Sequence, residues 1–259
     1  MELLNYFKVD YLKVKIFEGR EEAGKEEAQN VLEVIRHLLS RKDEINMVFA
    51  SAPSQNEFLD SLVKMDILWG RINAFHLDEY VNLPENAPQR FAKYLNDKIF
   101  SKATFKSVNY INGNVSNIEE ECKRYEQLLI THPLDIACIG VGENGHIAFN
   151  EPSVADFNDK SLVKVVKLEE KSRKQQVNDG CFSNIEDVPK YAITLTIPAI
   201  MRAEYIFCIV PGRNKKEAVR DMLESPIDTS CPASILRTHK NAYLYLDKDS
   251  SSLLRKFIK

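Results

Sequence analysis

The chain has 259 residues, of which 44% are hydrophobic and 28% are charged, a balance typical of a soluble globular protein. Its formal net charge of -3 argues against a general nucleic-acid binder, and no stretch approaches the roughly 20 apolar residues that a membrane span needs. The five cysteines are scattered without a CxxC pair, and the N-terminus lacks the order of a signal peptide. We therefore expect a reduced, cytoplasmic protein.

Short apolar runs alternate along the chain with segments whose apolar residues recur at helical spacing. The first pattern predicts strands at residues 12–17, 45–50, 72–77, 107–111, 134–140, 162–168, 191–197, 204–210 and 241–246, the strand at 12–17 lying at a sheet edge. The second predicts helices at residues 20–40, 58–65, 86–100, 118–131, 169–177, 198–203, 217–223 and 230–235. This alternation indicates a Rossmann-like, three-layer α/β sandwich with a mostly parallel sheet of about seven strands and helices on both faces. We expect residues 1–259 to form a single domain.

A polar turn rich in hydroxyl groups follows the first clearly buried strand. It includes Ser51, Ala52, Ser54 and Gln55 and leads into a helix. Backbone N–H groups at a helix start can hold an anion, although this turn has no glycine. The alternative is ordinary helix capping by Ser54 or Asn56.

Charged residues also follow two other predicted strands. Asp78 and Glu79 lie at the mouth of the strand at 72–77, where a carboxylate needs a partner or a function. Their alternative role is at a helix N-terminus or in a surface ion pair. After the strand at 204–210, Arg213, Lys215 or Lys216 can meet a phosphate, although most basic turns are simply solvated.

The segment 134–152, LDIACIGVGENGHIAFNEP, combines a buried strand with a glycine-rich loop that carries His146 and Glu151. A histidine beside carboxylates suits proton transfer near neutral pH, whereas most lone histidines are structural. The glycines also fit GxGxxG, but Pro152 interrupts the helix that a dinucleotide fold requires at this point. A metal site is disfavoured because His146 has no second histidine or cysteine at ligand spacing.

Parallel strands place all four polar clusters along one edge of the sheet, where ligands bind in open α/β folds. Two proton-handling groups beside a phosphate anchor fit aldose–ketose chemistry on a sugar phosphate. We therefore expect an enzyme whose active site lies at this edge.

Three segments carry a resemblance to a known family: FHLDEYVNLP at 75–84, GENGHIAFNEP at 142–152 and VPKYAIT at 188–194. They resemble the glucosamine-6-phosphate deaminase/isomerase family, in the same order and over most of the chain. The related 6-phosphogluconolactonases share its fold without the FNEP continuation.

The resemblance implies conversion of an amino-sugar 6-phosphate and water to a ketose 6-phosphate and ammonia, with no metal or organic cofactor. In the family pattern Asp78 is the general base, His146 assists ring opening with Asn144 beside it, and Glu151 is the carboxylate partner of the histidine. The implied substrate and phosphate contacts are Ser51, Ala52, Ser54, Gln55, Glu79, Gly145 and Lys215.

Three departures from the family pattern suggest a divergent branch. Asn144 stands where well-studied members often have Asp. Because asparagine cannot carry a charge, proton transfer through His146 would depend on the carboxylate of Glu151. Residues 51–55 lack the usual glycines and threonines, and no arginine lies near residues 179–180. The galactosamine epimer is therefore a candidate substrate beside glucosamine-6-phosphate. A sugar-phosphate lactonase and a non-catalytic sugar-phosphate sensor stay open as alternatives, and a homo-oligomer is compatible with the sequence.

Overall fold

A computed structural model describes residues 3–255, whose centre is an eight-stranded sheet. The strand order is β1-β2-β11-β10-β7-β3-β4-β6, and every neighbouring pair is parallel except β1 and β2. The strands are β1 (Leu3–Val9), β2 (Leu12–Phe17), β3 (Ile45–Phe49), β4 (Ile72–His76), β6 (Ser107–Asn109), β7 (Ile136–Ile139), β10 (Tyr205–Val210) and β11 (Ala242–Asp247). The predicted α/β class with a mostly parallel sheet is confirmed.

The central strands are apolar throughout because helices cover the sheet on both sides. In β7, Ile136 and Cys138 belong to one hydrophobic core, whereas Ala137 and Ile139 belong to the other. This follows from the two-residue period of a strand, which sends successive side chains to opposite faces. A strand buried on both faces therefore reads as a continuous apolar run.

Seven α-helices surround the sheet within the described residues: α1 (Arg20–Leu39), α2 (Asn56–Leu62), α3 (Phe91–Leu95), α4 (Ile118–Thr131), α5 (Glu170–Asn178), α6 (Ile197–Met201) and α7 (Lys216–Glu224). Helices α1 and α2 pack in one core, and α4, α6 and α7 pack in the other. The first turn of α1 carries Glu21 and Glu22 and its last turn carries Arg36 and His37, a distribution that complements the helix dipole.

Three strands form a second, antiparallel sheet in the order β5-β9-β8, from β5 (Asp78–Tyr80), β9 (Tyr191–Leu195) and β8 (Val163–Lys167). The strands expected at 162–168 and 191–197 therefore exist but do not join the main sheet. Strand β5 continues from β4 after Leu77, so the chain leaves the main sheet at that residue. Its pairing with β9 sets Asp78 opposite Thr194.

The structure corrects the predicted edge strand of the sheet and the predicted start of one helix. Strand β2 is not the sheet edge, because the turn after β1 reverses the chain at Asp10, which has a φ of 52°, and β1 covers β2. Helix α3 begins at Phe91 rather than near residue 86, and the carboxylate of Glu79 accepts the N–H groups of Phe91 and Ala92 in its first turn. A π-helical turn, Asn96–Phe100, then continues α3. Within residues 3–255, no helix is long and apolar enough to cross a membrane.

Candidate active site

A cleft of about 850 Å³, measured together with its open mouth, is lined by residues that directly follow β3, β4, β7 and β10. The four predicted polar clusters therefore meet at one edge of the sheet, as expected for the carboxyl ends of parallel strands. Six of the predicted site residues line this cleft: Ser51, Ala52, Ser54, Asp78, His146 and Lys215.

The glycine-rich loop after β7 folds tightly around the imidazole of His146. A Cβ atom on Gly142 would lie 2.0 Å from Cε1 of His146, so only glycine fits beneath the ring. Gly145 has a φ of +79°, and an added Cβ would lie 2.6 Å from Sγ of Cys231. Gly145 thus shapes the loop, and it does not line the cleft.

Asn144 is the direct partner of the His146 side chain. Its Oδ1 lies 2.6 Å from Nδ1 of His146 and also accepts the backbone N–H of His146 at 3.3 Å. Because a backbone N–H can only donate, the Asn144 atom at this point is the carbonyl oxygen, and Nδ1 of the imidazole carries the proton. The other ring nitrogen, Nε2, is therefore left as a proton acceptor.

The imidazole of His146 is neutral over the physiological range. Burial is the main reason that its pKa falls to about 3, and the positive charges of Lys215 and Lys171 lower it further. Asn144 supplies no charge that would counteract these effects. His146 is thus a neutral imidazole whose Nε2 is available as a hydrogen-bond acceptor.

Glu151 is completely buried behind the loop, and its Oε2 accepts the backbone N–H of Glu169 at 2.6 Å. Within residues 3–255 it makes no direct hydrogen bond to His146. The hydroxyl of Ser172, on α5, lies 3.3 Å from Nδ1 of His146 and offsets part of the rise that burial causes in the Glu151 pKa. Asn144 thus contacts the imidazole directly, whereas Ser172 lies between Glu151 and His146. The role of Glu151 in proton transfer through His146 stays a prediction.

Asp78 faces the cleft from the first position of β5 and is only 7% exposed. Burial raises its pKa well above the ordinary value, and the neighbouring carboxylate of Glu79 raises it further. His76 fixes the backbone at this point: its Nδ1–H donates to the carbonyl of Asp78 at 2.9 Å, and its Nε2 accepts the N–H of Ile111 at 2.8 Å. His76 is thus a structural histidine that holds Asp78 at the strand end.

The structure places Glu79 away from the cleft, although it was predicted to be a substrate contact. Its Oε1 accepts the backbone N–H groups of Tyr80 at 2.9 Å and Phe91 at 3.1 Å, and its Oε2 accepts that of Ala92 at 3.0 Å. Two of these donors belong to the first turn of α3, whose start lacks other side-chain caps. The alternative of a carboxylate at a helix N-terminus is the one that these contacts support.

Lys215 and the turn after β3 form the other end of the cleft. Lys215 is 6% exposed and makes no ion pair within residues 3–255. Burial lowers the pKa of its ammonium, and Asp179 and Glu143 counteract part of that effect. Oγ of Ser51 is buried without a hydrogen-bond partner in the described part of the chain. A buried ammonium and an unpaired hydroxyl that line the same cleft are suited to an anionic ligand.

Gln55 supports this end of the cleft from behind. It is 1% exposed, and its Nε2 lies 3.4 Å from both the carbonyl of Ile139 and Oγ of Ser54. A Cβ atom on Gly140 would lie 3.0 Å from the same nitrogen. Gln55 thus packs against the end of β7 and does not line the cleft.

Comparison with known proteins agrees with this geometry. The family model described as glucosamine-6-phosphate isomerases/6-phosphogluconolactonase matches residues 18–245. The chain is 36% identical over 227 residues to the glucosamine-6-phosphate deaminase of Listeria monocytogenes serotype 4a (strain HCC23), covering 88% of this chain and 95% of that one. It is 35% identical over 245 residues to that of Bacillus thuringiensis (strain Al Hakam), covering 95% and 89% respectively.

The chain belongs to this family. A solved monomeric glucosamine-6-phosphate deaminase superposes with a TM-score of 0.85 at 31% identity, covering 93% of this chain and 99% of that one. The 6-phosphogluconolactonase of Thermotoga maritima superposes with a TM-score of 0.74 at 22% identity, covering 92% and 100%, and shares the fold. The predicted family, fold class and enzyme class are therefore confirmed.

Further residues line the cleft of this family member and were not predicted from the sequence, among them Arg20, Gln175 and Asp179. Arg20 comes from the start of α1, and Gln175 and Asp179 come from α5 and its C-terminal cap. Gln175 joins α5 to the glycine-rich loop, because its Oε1 accepts the backbone N–H of Glu143 at 3.0 Å. No local pattern marks these residues, since each is a polar side chain on an amphipathic or strongly polar helix.

Proposed function

We propose that this protein is an amino-sugar 6-phosphate deaminase/isomerase. It would convert glucosamine-6-phosphate, or its galactosamine epimer, and water to a ketose 6-phosphate and ammonia. The observation that carries the proposal is that a buried carboxyl, Asp78, and a neutral imidazole, His146, line the same cleft as the buried ammonium of Lys215. The relatives at 35–36% identity are named glucosamine-6-phosphate deaminases, which supports this reaction class.

In the proposed first step the sugar ring opens. Nε2 of His146 takes the proton of the hydroxyl at C1 and passes it to the ring oxygen as the bond between C1 and that oxygen breaks, which gives the open-chain aldehyde. Asn144 favours this role because it holds the proton of the imidazole on Nδ1 and leaves Nε2 free to accept.

In the second step Asp78 removes the proton from C2 and returns it to C1, while a proton passes from the amino nitrogen to the oxygen on C1. The product is an imine at C2, which water hydrolyses to the ketose with release of ammonia. A carboxylate with a raised pKa is a stronger base than an ordinary aspartate, and it therefore suits the abstraction of a carbon-bound proton. Lys215 and the hydroxyls of Ser51 and Ser54 would anchor the phosphate.

The test is to measure ammonia and ketose phosphate together from a panel of amino-sugar 6-phosphates, with a sugar-phosphate lactone as a further substrate. We expect equal amounts of both products from one epimer and none from the Asp78→Asn variant with an unchanged fold. Hydrolysis of the lactone without ammonia from any amino sugar would favour the lactonase alternative. Ligand-induced thermal stabilisation with no turnover would favour a sensor.

A further inference from the structure

The turn that follows β3 offers few donors to a phosphate. Pro53 occupies its centre and has no backbone N–H, so one donor that a glycine-rich turn would supply is missing. Ser51 and Ser54 add hydroxyls, and Lys215 adds one buried ammonium. Asp179 lines the same cleft and would repel a phosphate dianion. A single ammonium opposite this carboxylate leaves the anion incompletely neutralised.

Arg20 lies beside this turn. Its Nη2 donates to the carbonyl of Pro53 at 2.8 Å and to Oε2 of Glu57 at 2.8 Å, and its Nε lies 2.7 Å from Oε1 of Glu57. Glu57 thus holds one edge of the guanidinium. Within residues 3–255, Nη1 makes no hydrogen bond. The Arg20 side chain is 45% exposed overall, and Arg20 is among the residues that line the cleft.

We infer that Arg20 is a phosphate-binding residue of this enzyme, which supplies from α1 the cation that residues 51–55 and 179–180 lack. The planar guanidinium can hold the carboxylate of Glu57 along one edge and present Nη1 to a phosphate oxygen. Glu57 then orients Arg20, while its negative charge weakens the attraction for the phosphate. This inference rests on the proposed function only in taking the ligand to be a phosphate ester.

Because Arg20 and Glu57 carry opposite charges, the direction in which each substitution changes phosphate affinity tests the inference. Removing the guanidinium with Arg20→Ala takes away an attractive charge, whereas Glu57→Gln takes away a repulsive charge and keeps an acceptor for Arg20. If the pair only stabilises the turn, both variants should weaken phosphate binding. If Arg20 binds phosphate, the two variants should change phosphate affinity in opposite directions.

The experiment compares wild type, Arg20→Ala, Arg20→Lys and Glu57→Gln, with Arg36→Ala on the exposed side of α1 as the matched control. KM and kcat are measured with the amino-sugar 6-phosphate that the wild type turns over, and the inhibition constant is measured for inorganic phosphate. For Arg20→Ala we expect KM and the inhibition constant to rise roughly 10- to 100-fold with kcat much less affected. For Arg20→Lys, KM and the inhibition constant should lie between those of the wild type and Arg20→Ala, because lysine keeps the positive charge but lacks the planar guanidinium. Arg36→Ala should match the wild type.

Two results would overturn the inference: unchanged KM and phosphate inhibition in a folded Arg20→Ala variant, or weaker phosphate binding in both Arg20→Ala and Glu57→Gln. If the wild type released no ammonia, the proposed function would fail separately. Calorimetric titration of inorganic phosphate into the same variants would then decide the role of Arg20. Absence of phosphate binding to the wild type would also overturn the inference about Arg20.

Discussion

At the scale of single residues, burial determines the chemistry of this cleft. Asp78 and His146 both lie where their charged forms are poorly solvated, and the effect has opposite directions for an acid and a base. The pKa of the carboxyl rises and that of the imidazole falls, so both groups favour their neutral forms. The cleft therefore does not have to stabilise a buried carboxylate and a buried imidazolium at the same time.

The raised pKa of Asp78 predicts the position of the acidic limb of the pH–rate profile. As a base, Asp78 must lose its proton, so kcat/KM should rise with pH through the pKa of Asp78, above the value of about 3.9 for an ordinary aspartate. Glu79→Gln removes the neighbouring negative charge that raises this pKa, and it should move the limb to lower pH. Profiles of kcat/KM for both proteins check this, with thermal unfolding as the control for the capping role of Glu79. A limb that stays in place would contradict it.

The contact between Asn144 and His146 predicts a second pKa change. Asn144→Asp places a carboxylate on Nδ1 of His146, where it favours the imidazolium, so the pKa of His146 should rise from about 3. A titration of the histidine ring signals by NMR measures this. His239, which lies far along the chain and bonds to the carbonyl of Ala203, serves as an internal reference and should titrate as in the wild type. An unchanged His146 pKa would mean that Asn144 does not govern the imidazole.

At the scale of elements, helix α1 carries an unusual buried acid in its contact with the sheet. Glu27 is fully buried, and neither of its carboxylate oxygens has a hydrogen-bond partner within residues 3–255. Burial therefore raises its pKa well above the ordinary value. The helical spacing of its apolar residues predicted the extent of α1, but that pattern did not single out Glu27 as buried.

Glu27 makes the free energy of unfolding depend on pH. In the unfolded chain its pKa is about 4.3, and in the folded protein it is higher, so stability falls as pH rises from about 4.3 towards the folded pKa. Glu27→Gln removes this titration and should raise Tm more at pH 8 than at pH 4.5. Thermal unfolding at the two pH values measures the difference, and Glu33→Gln, at an exposed position of the same helix, is the control. An equal gain at both pH values would contradict the prediction.

At the scale of the whole molecule, the cleft joins parts that are held by different interactions. The main sheet lies between two extensive hydrophobic cores. Helix α5, in contrast, is strongly polar, and among its residues only Ser172 and Gln175 are buried. An element with so few apolar contacts opens at lower free energy than the core strands. Helix α5 nevertheless supplies Gln175 and Asp179 to the cleft.

This difference predicts where ligand binding stabilises the protein. An amino-alditol 6-phosphate has no ring to open and cannot isomerise, so it should occupy the cleft without turnover and connect α5 to the strand ends. Hydrogen–deuterium exchange should slow over residues 170–178 when this ligand binds, while residues 118–131 of α4 serve as the reference with no change. Slowing of equal size in both segments would indicate general stabilisation and not contact with α5.

Much of the fold and part of the site follow from local sequence patterns. Apolar residues at strand spacing located seven of the eight strands of the main sheet but missed β1. The glycines and polar residues that follow these strands predicted that Asp78, His146 and Lys215 lie at one edge. These features are readable because burial on both faces and tight turns require particular residue types at each position. The FNEP and DEY segments predicted the family, and the comparisons confirm it.

The tertiary structure alone decided which sheet each strand joins and which distant side chains reach the cleft. Strands β8 and β9 have the same kind of pattern as strands of the main sheet, and only their pairing with β5 places them apart. Arg20 meets Pro53, and Ser172 meets His146, across long stretches of chain. Such contacts depend on long-range packing, and a polar side chain on a helix looks the same in sequence whether it faces solvent or a cleft. For this reason the sequence by itself determined the candidate catalytic groups, whereas the folded chain determined which side chains contact them.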